Sequence, residues 1–261
     1  MQTLILAAGQ GTRLRPYTND RPKCMVSLAG KPLLHRQMSA MAACGVHEKI
    51  TVIGGYRSDD LDTLQAGLVL NPRYDATNMV LTLFCARDRM IDGEDLLISY
   101  GDIVYEPRVL QAVLDSDAPV CLAADREWKR LWQLRMDEPL DDAETFRMDD
   151  QGYVTELGRK PGSYDDVEAQ YMGLIRIRGD HVARFKAFFD ALDRAATYDG
   201  KDFDNMYMTS LVQGLIDAGW PVKACLVDNG WLEVDTADEL EAYEAMATSG
   251  ELDAYCKLER S

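Results

Sequence analysis

The N-terminal segment of the sequence places a glycine-containing loop directly after a run of apolar residues. The run at positions 4–6 leads through two alanines to Gly9, and a second glycine follows at position 11. The run predicts a buried strand, and glycine, which has no Cβ, lets the next stretch of backbone approach a ligand closely. Free N–H groups in such a loop form an anion site, and three cations stand nearby to meet phosphates: Arg13, Arg15 and Lys23. The segment therefore predicts a nucleoside triphosphate site.

Two common phosphate-binding loops do not match this segment. The ATPase type requires Gly-x-x-x-x-Gly-Lys-Ser/Thr, and no such string follows Gly9. The dinucleotide type requires a third glycine where Leu14 stands. The string that remains, Leu-Ala-Ala-Gly-x-Gly-x-Arg-Leu at positions 6–14 followed by Pro22-Lys23, resembles the signature of nucleotidyltransferases that make sugar nucleotides and CDP-linked small molecules.

This resemblance implies both a fold and a set of roles. The fold is α/β, a Rossmann-like three-layer αβα sandwich around a mixed, mostly parallel sheet. The loop would wrap the triphosphate with the backbone of Leu6, Ala7, Ala8, Gly9 and Gly11. By matching position, Arg13 and Lys23 take the catalytic role of binding the phosphates around the reacting phosphorus. The alternative, a glycine pair that makes only a structural turn, is disfavoured by these cations at this spacing.

Composition narrows the class of protein. A net charge of −16 over 261 residues argues against a nucleic-acid partner, which would need a basic surface. The six cysteines are scattered without zinc-ligand spacing or a disulfide pattern, which is typical of a reducing cytoplasm. No apolar run approaches the roughly 20 residues of a membrane span. We expect an acidic, soluble cytoplasmic protein without a membrane or nucleic-acid partner, and a homodimer is compatible with the sequence.

Apolar runs alternate with helical patterns through the first half of the chain, which favours a largely parallel sheet. Predicted strands lie at 50–53, 96–99, 120–124 and 171–177, with an antiparallel hairpin formed by 144–148 and 153–157. Predicted helices run from Pro32 to Gly45, over about 78–89, from Asp180, and up to Gly219, and Thr236-x-x-Glu239 is a capping box for the last helix. We expect one domain over 1–261, with a nucleotide half at about 1–125 and an acceptor half beyond it.

Two aspartates are candidates for a metal site. Asp102 follows a predicted buried strand, where open α/β sheets bind ligands, and Asp235 precedes the last helix. Transfer of a nucleotidyl group needs Mg²⁺ to neutralise the triphosphate, and one or two carboxylates suffice for that ion. The resemblance gives both aspartates this metal role, and Asp102 a catalytic one. The alternative for Asp235 is a charge that stabilises the helix N-terminus.

The choice of nucleotide rests on the resemblance. Gly54-Gly55-Tyr56 and the string Asn-Pro-x-Tyr-x-x-Thr-Asn-Met at 71–79 resemble the CTP-using branch, which includes the phosphocholine cytidylyltransferases. That branch implies CTP as a partner, bound near Gly55, Tyr56, Thr77, Asn78 and Gly101. Asn78 is equally suited to cap the helix that follows it.

The acceptor half carries a second set of candidates. A Lys-Pro element at Lys160 resembles the one that holds the acceptor phosphate, and Glu168, Gln170 and Tyr171 match the strand along the acceptor pocket. Trp128, Trp132 and Trp231 could cage a quaternary ammonium by cation–π contact, with core packing as the alternative for each. A basic cluster around the first two tryptophans instead suits a carboxylate-bearing acceptor, or is a solvated face: Arg126, Lys129, Arg130 and Arg135.

Further strings, among them Trp-Lys-x-Leu-Trp at 128–132 and Asn-Met-Tyr-Met-Thr at 205–209, resemble a narrower branch, the CTP:phosphoglutamine cytidylyltransferases of bacterial capsule phosphoramidate synthesis. The resemblance implies Mg²⁺-dependent transfer of CMP from CTP to a small phosphorylated amine or amino acid, L-glutamine phosphate before phosphocholine. Two alternatives stay open: a sugar-1-phosphate nucleotidyltransferase, and a regulatory module that binds a nucleotide without catalysis. The presence of Lys23 and both aspartates disfavours the regulatory module.

Overall fold

A computed structural model describes residues 1–259. Thirteen strands are assigned there: β1 (Gln2–Ala7), β2 (Ser27–Leu28), β3 (Lys31–Pro32), β4 (Ile50–Gly54), β5 (Gly67–Leu70), β6 (Leu96–Tyr100), β7 (Ile103–Tyr105), β8 (Val120–Asp125), β9 (Phe146–Met148), β10 (Val154–Leu157), β11 (Gln170–Ile177), β12 (Val222–Val227) and β13 (Trp231–Glu233). The same residues form seven α-helices: α1 (Leu33–Ala43), α2 (Met79–Cys85), α3 (Pro107–Leu114), α4 (Trp128–Arg135), α5 (Gly179–Asp190), α6 (Met208–Asp217) and α7 (Ala237–Ser249).

Seven of these strands form one mixed sheet in the order β12-β8-β11-β6-β1-β4-β5. Strand β11 runs antiparallel to both of its neighbours, and every other pair in the sheet is parallel. Alternate residues of a buried strand point to opposite faces of the sheet. Both faces therefore carry apolar side chains, and helices cover both. Ile5 packs into the core on one face, whereas Leu4 and Leu6 pack into the core on the other. The predicted α/β sandwich with a mostly parallel sheet is confirmed.

Several predicted elements are confirmed, and others were missed. The hairpin forms as β9 and β10, but as a separate two-stranded sheet. Helix α2 is shorter than predicted, since it ends at Cys85 and a tighter turn continues over Arg87–Arg89. Eight elements were not predicted from the sequence: β2, β3, β5, β7, β12, β13, α3 and α4. Strand β5 is a largely exposed edge strand of four residues, and so short an apolar run does not distinguish a strand from other structure.

The ends of three adjacent parallel strands meet at one edge of the sheet. Strand β1 is hydrogen-bonded to β4 on one side and to β6 on the other. Beyond the strands, the amide of Tyr56 donates to the carbonyl of Ala8 at 3.1 Å, and the amide of Gly101 donates to the carbonyl of Leu6 at 2.8 Å. These bonds fix the three loops against one another, and they form the floor of the cleft described below.

No helix within residues 1–259 combines the length and the apolar character that crossing a membrane would require.

A substitution at Gly101 tests this close packing. A Cβ at that position would lie 2.6 Å from the carbonyl oxygen of Leu6, so the backbone would have to shift. We expect Gly101→Ala to lower the free energy of unfolding by about 1–3 kcal/mol in urea denaturation, the usual cost of overpacking. The matched control is Gly9→Ala, where no heavy atom lies within 4 Å of the added Cβ. Equal denaturation midpoints for the two variants would contradict the account.

Candidate functional site

A cavity of about 620 Å³ lies at the carboxyl ends of β1 and β6, next to the start of α2. Nine residues predicted for nucleotide binding or catalysis line it: Leu6, Ala7, Ala8, Gly9, Lys23, Thr77, Asn78, Gly101 and Asp102. The predictions came from three separate stretches of the sequence, and the sheet brings them to one place because parallel strands end at the same edge.

Four other predicted residues lie beside this cavity rather than in its lining. Gly11 has a left-handed backbone (φ 58°), and a Cβ there would lie 3.0 Å from the Cβ of Lys23. Gly55 packs against Tyr74, with only 2.5 Å between a hypothetical Cβ and the Cβ of that tyrosine. The hydroxyl of Tyr56 donates to the carbonyl of Thr18 at 3.0 Å. These residues support the wall, and Arg13 reaches the site from the rim.

The cations and carboxylates predicted from the sequence form one charged centre. The Nζ of Lys23 donates to Oδ2 of Asp102 at 2.7 Å and to Oδ1 of Asp235 at 2.7 Å. Arg13 contacts the other oxygen of Asp235 at 2.5 Å. Burial lowers the pKa of Lys23, but the two aspartates and Glu233 outweigh it, so the net pKa lies above its usual value. Lys23 is therefore charged throughout the physiological range.

The second aspartate is held ionised by the same cations. Burial raises the pKa of Asp235, but Lys23 and then Arg13 outweigh it and bring the pKa below its usual value. Asp235 also precedes α7, and the capping box at Thr236 and Glu239 is present as predicted. The helix-terminal interpretation and the charged-centre interpretation of Asp235 thus both describe the structure.

A short pair of strands brings the two aspartates together, although they are far apart in sequence. Strands β7 and β13 pair antiparallel, with Glu233 opposite Ile103. Just beyond this pair, the amide of Val234 donates to the carbonyl of Asp102 at 3.0 Å. The ladder therefore places Asp235 beside Asp102 and over the end of β6.

This pair of carboxylates fits the site of a divalent cation that is shared with a triphosphate. The Oδ1 of Asp102 is buried and has no hydrogen-bond partner among the described residues, so one hard oxygen ligand is available. Residues 1–259 contain no group of three or more potential ligand side chains close enough to hold a metal ion. Two carboxylates still suit Mg²⁺, which takes most of its other ligands from phosphates and water. Asp102 and Asp235 would hold the ion.

Asn78 is placed at the N-terminus of α2, where the sequence allowed two roles. Its Oδ1 accepts the amide hydrogen of Met79 at 2.8 Å, so the capping role is present. Its Nδ2 lies 3.5 Å from the carbonyl of Asn205, and the residue also lines the cavity. A role toward the base or ribose stays a prediction.

A second cavity of about 720 Å³ adjoins the first, and Met79 and Tyr100 line both. Four of the predicted acceptor residues line it, namely Trp132, Gln170, Tyr171 and Trp231. The Oε1 of Gln170 accepts the amide hydrogen of Glu144 at 3.4 Å, which ties β11 to the segment before β9. The two cavities form one continuous cleft across the edge of the sheet.

The structure does not bring three other predicted acceptor residues to this cavity. Trp128 is buried in the core, and its Nε1 donates to the carbonyl of Val167 at 3.2 Å. The side chain of Lys160 is 63% exposed, and its Nζ donates to the carbonyls of Leu140 and Asp141. Glu168 is exposed and accepts the amide hydrogen of Met148 at 3.3 Å. In this structure, local packing and local hydrogen bonds account for all three.

The predicted basic cluster does not face the cavity either. Arg126 pairs with Asp228 on the surface, Lys129 lies over the ring of Tyr164, and Arg130 lies over the ring of Tyr255. Arg135 is the exception, because its side chain is only 3% exposed and contacts Glu233 and Glu239. The interpretation of this run as a solvated face holds for the first three residues.

Carboxylates and aromatic rings, rather than cations, give the second cavity its character, and the sequence analysis missed the carboxylates. Asp142, Glu144 and Glu233 line it together with Trp132 and Trp231. Burial raises the pKa of Glu144 to about 7, and Asp142 and Glu233 add to the rise. Burial also raises the pKa of Glu233 to about 7, although Arg135 opposes the rise. Asp142 and Glu144 stand in one short string at 142–145, whereas Glu233 lies far away in the sequence, and only the fold brings the three acids together.

The lining of the first cavity also includes residues outside the predicted set: Cys24, Tyr74, Met79, Thr82 and Tyr100. Tyr74 and Met79 belong to the string at 71–79 that marked the CTP-using branch, so that signal could have found them. Thr82 lies one turn further along α2, and the helical period places it on the cavity side.

The chain belongs to the family described as the MobA-like NTP transferase domain, which matches residues 3–199. It is a nucleotidyltransferase, as predicted.

One relative of known activity and two solved structures add detail to the family match. The CTP:phosphoglutamine cytidylyltransferase of Campylobacter jejuni is 41% identical over 92% of this chain and 98% of its own. Two solved structures share the fold at 19% and 20% identity. The inositol-1-phosphate CTP transferase from T. maritima has a TM-score of 0.73 and covers 96% of both chains. The CTP:phosphocholine cytidylyltransferase from Streptococcus pneumoniae has a TM-score of 0.69 over 94% of this chain and 98% of its own.

Removing one member of the charged centre tests its role in catalysis. We expect Lys23→Met and Asp102→Asn each to lower kcat at least about a hundredfold, the scale of one lost electrostatic stabiliser. Pyrophosphate release under saturating substrates measures the effect. Lys49→Met, which breaks a surface ion pair with Glu94, is the matched control and should leave kcat unchanged. Near-normal rates in both site variants would contradict these roles.

Proposed function

We propose that this protein is a cytidylyltransferase that transfers CMP from CTP to L-glutamine phosphate and releases pyrophosphate. The Campylobacter jejuni relative supports CTP and this acceptor, since the likeness spans nearly the whole of both chains. The single structural observation that carries the proposal is the acidic, aromatic cavity that opens beside the charged centre. By the resemblance given above, the product would serve bacterial capsule phosphoramidate synthesis.

The cleft separates charges in the way that such a reaction needs. Its first cavity ends at Lys23, with Arg13 at the rim, and these cations suit the triphosphate. Its second cavity carries Asp142, Glu144 and Glu233, which suit an ammonium group. An amino-acid phosphate carries its phosphate at one end and an α-ammonium beside an α-carboxylate at the other. Its phosphate would therefore face the first cavity and its α-ammonium the second.

Aromatic side chains strengthen this assignment of the cationic end. Trp132 and Trp231 line the second cavity, and their ring centroids lie 6.1 Å apart. Hydrogen bonds fix both rings, because Trp132 donates to Asp142 and Trp231 donates to the buried Asp125. Ring faces attract cations, and the attraction increases when water is excluded. A phosphocholine acceptor would use the same features, so it is included in the substrate test below.

The proposed reaction is an in-line displacement at the α-phosphorus of CTP. An oxygen of the acceptor phosphate forms the new bond to that phosphorus, and the bond to the oxygen bridging the α- and β-phosphates breaks. Lys23 and Arg13 would leave their carboxylates for the triphosphate and stabilise the negative charge that moves onto pyrophosphate. Mg²⁺, when bound, supplies further positive charge to the triphosphate. Loop backbone after β1 would hold the phosphates at short range.

A substrate grid, in which each of five nucleotides is combined with each of several phosphorylated acceptors, tests the proposal directly. We expect pyrophosphate release with CTP and L-glutamine phosphate, and at least about tenfold lower kcat/KM with UTP, ATP, GTP or dTTP, because one pocket discriminates by a kcal/mol or more. Phosphocholine, 2-aminoethylphosphonate and sugar 1-phosphates complete the acceptor set.

Each outcome of the grid has one meaning. Preference for phosphocholine would keep the cytidylyltransferase and replace the acceptor. Release with a sugar 1-phosphate alone would contradict the proposed acceptor class. Nucleotide binding without release for any pair would favour a regulatory module.

The raised pKa of Glu144 predicts a pH dependence for acceptor binding. With a pKa of about 7, this carboxylate is neutral at lower pH and charged above it. The kcat/KM for a cationic acceptor should therefore fall as pH decreases through about 7, because the ammonium group loses an anionic partner.

The variant Glu144→Gln should weaken this acid limb, to which Glu233 with a similar pKa also contributes, and should show a raised acceptor KM at pH 8. Glu48→Gln, a change of the same kind at an exposed position, should keep the wild-type profile. An unchanged acid limb in Glu144→Gln would assign it to another group.

A further inference from the structure

Arg135, the last residue of α4, is a buried cation that joins the two halves of the cleft. Its side chain is 3% exposed, whereas Lys129 and Arg130 of the same helix are exposed. The Nη2 atom contacts Oε2 of Glu233 at 2.8 Å, and Nε contacts Oε1 of Glu239 at 2.9 Å. One guanidinium group thus holds two carboxylates that come from different elements.

The first of these carboxylates belongs to the acceptor side. Glu233 ends β13 and lines the second cavity. The guanidinium carbon of Arg135 also lies 4.6 Å from the ring centroid of Trp132, another residue of that lining. Arg135 therefore fixes one charged wall and one aromatic wall of the acceptor cavity from behind.

The second carboxylate belongs to the charged centre. The Oε2 of Glu239 accepts the amide hydrogens of Asp235 at 2.7 Å and Thr236 at 3.2 Å. Its other oxygen is the one held by Arg135. Glu239 is 6% exposed, so this orientation is enforced by packing as well as by hydrogen bonds. Arg135 therefore acts on the backbone of Asp235 through Glu239.

We propose that Arg135 is a positioning residue that sets Glu233, a carboxylate of the second cavity, and Asp235, the expected metal ligand, relative to each other. This inference rests on the proposed function, since it assigns the acceptor to the second cavity. No contact of Arg135 with a substrate is required.

The choice of arginine supports positioning over simple stability. Two buried carboxylates around one cation are costly to desolvate, and well-packed apolar residues are often at least as stabilising. Arginine instead offers a rigid planar fork, whose Nε and Nη2 atoms hold the two carboxylates at a fixed separation and in a fixed plane, whereas a lysine ammonium imposes no such plane. The arrangement thus fixes the positions of two carboxylates, and its cost is the desolvation of the charged groups that it buries.

The test compares Arg135→Met, Arg135→Lys and wild type, using the nucleotide and acceptor that wild type turns over best in the grid above. We expect Arg135→Met to raise the acceptor KM and to lower kcat, each about tenfold or more, as for other groups that orient reacting residues. The KM for the nucleotide should change by less than about threefold, because Arg135 does not line the first cavity. Arg135→Lys should restore part of both losses.

A double variant separates positioning from a loss of folding. If Arg135 acts through Glu233, then Arg135→Met should raise the acceptor KM much less in a Glu233→Gln background than in wild type. This background also removes a buried unpaired charge, so it protects the experiment against a variant that does not fold. Arg126→Met, which removes an exposed arginine paired with Asp228, is the matched control and should keep wild-type constants.

The outcomes distinguish this inference from the proposed function. Wild-type preference for another nucleotide or acceptor would overturn the proposed function and still leave Arg135 tested with that pair. Lower thermal stability with unchanged KM and kcat in the folded variant would overturn the positioning role. Additive effects of Arg135→Met and Glu233→Gln on the acceptor KM would also overturn it.

Discussion

The ammonium group of Lys23 between two aspartates is the interaction on which the rest of the cleft depends. Asp102 and Asp235 lie close together at the edge of the sheet, and two such carboxylates would repel each other without a cation. Lys23 contacts both at 2.7 Å, and Arg13 contacts the second. This neutralisation lets β7 pair with β13 and lets α7 begin beside β6. Residues from the two predicted halves of the chain, Lys23 and Asp102 from one and Asp235 from the other, are joined at this point.

The charges on the two sides of this centre differ in sign, and that difference gives the cleft a direction. Cations and free backbone amides lie toward the glycine loop, whereas buried acids lie toward β11 and β13. Burial strengthens both effects, because charges interact more strongly where water is excluded. The cleft therefore has a cationic end and an acidic end.

The sequence revealed the nucleotide side of the cleft better than the acceptor side. The loop from Leu6 to Gly11 is contiguous, so strand, turn and cations were visible in one string, and the parallel sheet fixed where Asp102 would lie. The acceptor side is built from short, distant segments. Glu144 and Glu233 meet only through tertiary packing, and α4, the helix that places Trp132 in the cavity and Trp128 in the core, was not predicted.

A crystal structure of the protein with CTP and Mg²⁺ would test the central claim most directly. The account predicts the triphosphate along the loop after β1, with Lys23 moved from the two aspartates onto the phosphates. It also predicts that Asp102 and Asp235 contact the ion and that the acidic cavity stays open beside the α-phosphorus. A nucleotide bound elsewhere, or Lys23 still between the two aspartates beside a bound triphosphate, would contradict the account.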